Sequence, residues 1–145
     1  MMNESVSSIM IKNLITLTPD STLAEASEIF NTRKIHHIPV LDEGVLAGLI
    51  TIYDLWRKNI LHENYGEIKV RDVMSKNLIK LEAADKIGTA AELFLDNRFH
   101  ALPVVEGTRL LGLITTFDVL KYSFKKEYPD PILYKDVFDK ETEKE

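Results

Sequence analysis

The chain is written twice. A constant shift of 64 residues lays Ser8–Arg57 on Asp72–Lys121 without a gap. Met10 falls on Met74, and Lys12-Asn13-Leu14-Ile15 on Lys76-Asn77-Leu78-Ile79. Ala26, Glu28 and Phe30 fall on Ala90, Glu92 and Phe94, and His36 falls on His100. Pro39-Val40 meets Pro103-Val104, and Gly48-Leu49-Ile50-Thr51 with Asp54 meets Gly112-Leu113-Ile114-Thr115 with Asp118. Two copies are too few for a solenoid, so the pattern implies a pseudo-twofold pair around one shared core.

Each copy reads as strand, helix, strand, strand, helix. In copy one, Leu23, Ala26, Ile29 and Phe30 recur at helical spacing. Thr22 followed by Glu25 has the form of a capping box. In copy two, Asp85 is the expected cap, ahead of Ile87, Ala90, Leu93 and Phe94. Hairpins follow at Ile35–Leu41 with Val45–Thr51 and at Phe99–Val105 with Arg109–Thr115, each turning through three residues that include a glycine. Second helices start near Tyr53-Asp54 and Phe117-Asp118. The expected fold is α+β: two pseudo-twofold β-α-β-β-α repeats packed through their sheets, with a short acidic tail. The expected boundaries are 5–60 for the first repeat, 61–70 for a linker, 71–126 for the second repeat and 127–145 for the tail.

Charge and composition exclude several functions. The net charge of -5 resides mostly in the tail, where seven acidic side chains face three lysines. The two repeats are nearly neutral, with no basic face of the kind nucleic acid needs. There is no cysteine, which removes disulfides, thiolate metal sites and thiol nucleophiles. His36 and His37 are adjacent, and neighbours on a strand point to opposite faces, so they are not expected to share a metal. No apolar run approaches the roughly 20 residues of a spanning helix. A cytoplasmic protein that touches neither membrane nor nucleic acid is expected, without a metal. No nucleophile-with-base pattern or phosphate loop marks an enzyme.

Three repeated elements carry a resemblance: the Met-x-x-x-Leu-Ile start, the strand with Pro-Val, and Gly-Leu-Ile-Thr-x-x-Asp. Together, in this order and duplicated, they resemble a tandem pair of CBS domains, a Bateman module, over roughly residues 5–124. The resemblance implies a ligand sensor that binds adenosine-containing compounds (AMP, ADP, ATP or S-adenosylmethionine) in clefts between the repeats. It implies that Asp54 and Asp118 accept from ribose hydroxyls and that Thr51 and Thr115 meet ribose or phosphate. Thr16, Ile38, Pro39, Leu102 and Pro103 would line the base pocket. His36, His37 and His100 would face phosphate.

Elementary chemistry fits those roles, because one carboxylate accepts both donors of a ribose diol. The same Thr-x-x-Asp pattern is also a helix cap, and the two roles are compatible. Lys80 stands where copy one has the small hydroxyl Thr16. The expectation is therefore that a pocket of Thr16, Thr51 and Asp54 binds adenosine better than the one around Thr115 and Asp118.

The function implied is a non-catalytic regulatory module, acting in trans on a protein partner. Leu55, Trp56, Val119 and Leu120 suggest apolar helix faces suited to a homodimer. The alternative is a constitutive dimerisation or interaction scaffold whose pockets stay empty, with the apolar segment 132–138 docking a partner.

Overall fold

A computed structural model describes residues 2–57, 59–97 and 99–130. The part of the acidic tail from residue 131 onward, including the 132–138 segment, lies outside the described residues. The elements run α1 (Leu23–Arg33), β1 (His37–Asp42), β2 (Val45–Thr51), α2 (Ile52–Arg57), β3 (Leu81–Glu82), α3 (Ile87–Asn97), β4 (Ala101–Glu106), β5 (Arg109–Thr115) and α4 (Thr116–Glu127). Short 3-10 turns at Val6–Ser8 and Val70–Asp72 precede them in the two copies.

The hairpins are tighter than the expected three-residue turns. Asp42 pairs with Val45 and Glu106 with Arg109, leaving two-residue turns. Glu43 and Gly44 both take positive φ, at 49° and 83°. That is the backbone a mirror-image hairpin turn needs to match strand twist. Both hairpins carry the same irregularity, at Val40/Leu41 and at Val104/Val105. The five strands form one sheet in the order β1-β2-β5-β4-β3. The two hairpins pair with each other at their turn ends, where Val45 pairs Arg109 and the Leu46 N–H donates to the Thr108 carbonyl. The first strand of copy two is β3, parallel to β4. In copy one it shrinks to a single parallel bridge between Leu17 and Val40.

Each repeat has its own core. Leu23, Ala26 and Phe30 of α1 pack on Ile38, Val40 and Ile50. Ile87, Ala90 and Phe94 of α3 pack on Leu102, Val104 and Ile114. Fully burying one such aliphatic side chain contributes about 1.5–3 kcal/mol.

The leading segments, however, cross over. Val6, Ile9 and Met10, from the start of the chain, pack in the core of copy two. Tyr65, Val70, Val73 and Met74, from the linker and the start of copy two, pack in the core of copy one. The crossing is tied by backbone hydrogen bonds. Ile11 and Leu113 exchange N–H···O=C bonds of 2.8 and 3.0 Å, and Leu49 and Ser75 exchange two of 3.0 Å. A small third cluster of Leu49, Ala101 and Leu113 fills the seam between repeats.

The crossed segments also satisfy helix starts, whose first N–H groups lack intrahelical partners. In α1 the Leu23 and Ala24 N–H groups donate to the carbonyls of Ile68 and Tyr65, and the Thr22–Glu25 capping box is present as expected. In α3 the Ile87 and Gly88 N–H groups donate to Glu4 and Met2. Asp85 does not cap α3 through its side chain as expected. Its carboxylate accepts the Glu82 N–H at 2.7 Å, closing the turn before the helix, because the chain's own start already serves the helix end.

Candidate ligand clefts between the repeats

The crossing creates two clefts, one on each side of the seam. The first, of ≈ 580 Å³, combines Thr51, Tyr53 and Trp56 of copy one with Asn77, Ile79 and Pro103 of copy two. The second, of ≈ 510 Å³, combines Thr115 and Phe117 of copy two with Asn13, Ile15 and Pro39 of copy one. Each is therefore built from the leading segment and first hairpin strand of one copy and the strand-to-helix corner of the other. Both volumes suit a small organic ligand.

Both corners are held by reciprocal caps. Thr51 N–H donates to Asp54 Oδ2 at 2.8 Å, and Asp54 N–H donates to Thr51 Oγ1 at 3.2 Å. The same pair of bonds joins Thr115 and Asp118 at 2.8 and 3.2 Å, and the Thr115 hydroxyl also donates to Asp118 Oδ2. These bonds satisfy the helix start and fix the threonines at the cleft walls.

The structure brings Thr51, Thr115, His36, His37, His100, Pro39, Leu102 and Pro103 to the clefts. It places five other expected residues elsewhere. Thr16 and Lys80 are exposed and line neither cleft; their neighbours Ile15 and Ile79 do. Successive side chains of an extended segment point opposite ways, so only one of each pair can face in. The grouping of Thr16 with Thr51 is thus replaced by a crossed one. The expected ranking of the pockets, which rested on Lys80, loses its basis. Ile38 lies wholly in the core, on the opposite face of β1 from His37 and Pro39. Asp54 is buried at 4% exposure, holding Thr51 from behind. Asp118 lines a separate hollow with Lys121, Tyr122 and Lys125.

Of the four apolar residues expected on outer helix faces, Leu55 and Val119 are buried in the cores. Trp56 and Leu120 are exposed, as are Tyr53, Phe117 and Phe124. Sequence reading missed Tyr53, Asn13 and Asn77. The two asparagines had a signal, since Asn13 and Asn77 are a repeated identity beside the Leu-Ile start.

Burial, with the neighbouring His100 and His36, pushes the His37 imidazole down from 6.5 to about 4, against the opposing pull of Asp54. Among the described residues no cluster of His, Asp and Glu is arranged to hold a metal ion. No helix among them is long and apolar enough to cross a membrane.

The fold is a duplicated α+β module with a cleft on each side of its seam. The chain belongs to the CBS domain family: the family model, described as the CBS domain, matches residues 6–55 and 70–125. Among curated relatives, the inosine-5′-monophosphate dehydrogenase of Methanocaldococcus jannaschii is 37% identical over 123 residues, covering 83% of this chain and 23% of that protein. The CBS domain-containing protein YhcV of Bacillus subtilis is 27% identical, covering 79% of this chain and 82% of its own. The chain spans less than half the length of the first curated relatives it matches. Among solved structures, CBSX2 in complex with AMP is 25% identical with a TM-score of 0.76, covering 86% of this chain and 98% of that one. A CBS-domain protein of Agrobacterium tumefaciens is 27% identical with a TM-score of 0.74, covering 82% and 98%.

Proposed function

We propose that this chain is a non-catalytic regulatory module that senses an adenosine-containing ligand (AMP, ADP, ATP or S-adenosylmethionine) in its clefts and signals to a protein partner in trans. The observation that carries the reading is the crossed construction of the clefts. A ligand seated in either one touches both repeats, so its binding energy acts on their relative position. Each cleft offers an apolar slot around Pro39 or Pro103 for a flat base, and a capped threonine corner for a sugar or phosphate. The AMP held by the similar CBSX2 structure supports the ligand class. The exposed Tyr53, Trp56, Phe117, Leu120 and Phe124 support a homodimer built on α2 and α4.

The test is a thermal-shift panel with AMP, ADP, ATP and S-adenosylmethionine, together with mass spectrometry of the protein as purified. A ligand at a hundred times its Kd stabilises by about 2.7 kcal/mol, which raises Tm by about 5–10 °C here. If none of the four raises Tm at millimolar concentration and no nucleotide co-purifies, the scaffold reading replaces this one.

A further inference from the structure

A third hollow lies apart from both clefts, on the flank of α4. It encloses ≈ 370 Å³ between Ile9, Asp118, Lys121, Tyr122, Lys125 and Lys126. Ile9 and the Tyr122 ring give it an apolar part, and three lysines give it positive charge. Lys126 is engaged: it pairs with Glu4 at 2.7 Å and lies over the Tyr122 ring at 5.4 Å. Asp118 is engaged too, its carboxylate accepting from the Thr115 N–H and hydroxyl. Lys121 and Lys125 carry no ion pair among the described residues. An apolar hollow with two uncompensated cations fits a segment that offers an aromatic side chain between carboxylates.

We propose that the occupant is the chain's own C-terminal segment: Phe138 seats in the hollow on α4, and Asp136 and Asp139 beside it pair with Lys121 and Lys125. The proposal is independent of the ligand reading above.

Charge, reach and the repeat itself select this occupant. The sequence 131–145 holds five carboxylates against three lysines, and Asp136-Val137-Phe138-Asp139 sets an aromatic between two of them. Lys121 lies six residues before the end of α4 at Glu127, about 9 Å along the helix axis. The eight residues from Asp130 to Phe138 span up to roughly 26–29 Å, so the segment can turn back that far. Copy one supplies the precedent. There the chain that leaves α2 returns to its own repeat, with Ile60, Tyr65 and Ile68 packed in the core that holds Leu55 of α2. In copy two the chain that leaves α4 is the acidic segment. A short tether holds it at an effective concentration on the order of millimolar, which favours it over the same segment of a second copy at micromolar concentration. Asp118 lines the hollow while Thr115, its capping partner, lines the second cleft. A docked segment and a cleft ligand therefore bear on one corner.

The experiment is zero-length carbodiimide cross-linking of lysine to carboxylate in the full chain, read by peptide mass spectrometry. An equal mixture of unlabelled and nitrogen-15-labelled protein separates links within one chain from links between two. The Lys126–Glu4 pair is the internal positive control. Lys121 or Lys125 should link to Asp136 or Asp139, in peptides of a single label. Phe138→Ser should lower the yield of these links about tenfold, because the apolar anchor is lost. Lys121→Glu with Lys125→Glu should abolish them, and adding Asp136→Lys with Asp139→Lys should restore links between the same positions with the charges exchanged. The absence of any such link, links spread evenly over exposed lysines such as Lys12 and Lys76, or a yield unmoved by Phe138→Ser would overturn the proposal. Links of mixed label at the frequency of random mixing would place the segment on a second copy and overturn it as well. The segment's own substitutions lie outside the described cores, so none of these results depends on a variant that fails to fold.

Discussion

Gly48 is the most informative position to perturb. It sits on β2 where the leading segment of copy two crosses. A Cβ there would lie 2.6 Å from the Met74 sulfur and 2.8 Å from the Ser75 carbonyl oxygen. The thioether can swing aside, but the carbonyl is backbone. It accepts the Leu49 N–H at 3.0 Å, and the Ser75 N–H returns a bond to the Leu49 carbonyl. In Gly48→Ala the methyl group forces the crossing segment away, stretching both bonds.

Two backbone hydrogen bonds contribute about 1–3 kcal/mol net, and overpacking in a tight interior costs about 1–3 kcal/mol. These are partly the same cost, so about 3 kcal/mol is expected. Replacing glycine also stiffens the unfolded chain, which returns about 0.4–1 kcal/mol. The net loss is about 2 kcal/mol, or a fall in Tm of about 4–8 °C for a chain of this size. Urea unfolding of Gly48→Ala measures it. Gly112→Ala is the symmetry control, because its Cβ would lie 2.7 Å from the Met10 sulfur and 2.8 Å from the Ile11 carbonyl oxygen. Gly66→Ala, with nothing within 4 Å of the added carbon, is the blank. If Gly48→Ala shifts stability no more than Gly66→Ala, the close crossing does not hold the repeats together as described.

Two further outcomes are expected. Thr115→Ala removes the acceptor for the Asp118 N–H and should cost about 1 kcal/mol in urea unfolding, with most of the effect on α4 read by helix circular dichroism. Acidification should destabilise the ligand-free protein through His37. Its folded value is lowered from 6.5 to about 4, so its contribution to stability is full above pH 6.5. That contribution is lost as pH falls through the window from 6.5 to 4, by about 3 kcal/mol at most. His37→Ala should flatten this part of the stability–pH curve, and an unchanged slope would refute the assignment.

The duplicated pattern makes the element order, the hairpins, the helix stripes and the family legible in the sequence itself. Periodicity tells which face of an element is buried, but not against which copy. That is why Val6 and Val70 read as the starts of their own repeats, although each packs in the other's core. Thr16 and Lys80 were expected at the clefts, where the fold sets their neighbours Ile15 and Ile79. The same limit groups Thr16 with Thr51, where the fold sets Thr51 beside Pro103. Thr-x-x-Asp was correctly legible as a cap, since that interaction is local. The special status of His37 was not legible, because it arises from burial and from His100, which only the fold brings near.

The crossed leading segments also set the order in which this chain can acquire structure. As it leaves the ribosome, residues 2–11 have nothing to pack on, because α3, β4 and β5 have not yet been made. Copy one in turn stays open until Tyr65, Val70 and Val73 arrive to close its core. Contacts that span more than half of the sequence are slow to form, since the loop must close before they contribute. Folding is therefore deferred until almost the whole of both copies has emerged, and cutting the chain between them yields two fragments that each lack part of their own interior. Mixed together, such fragments should recombine into one folded body, each completing the other's core.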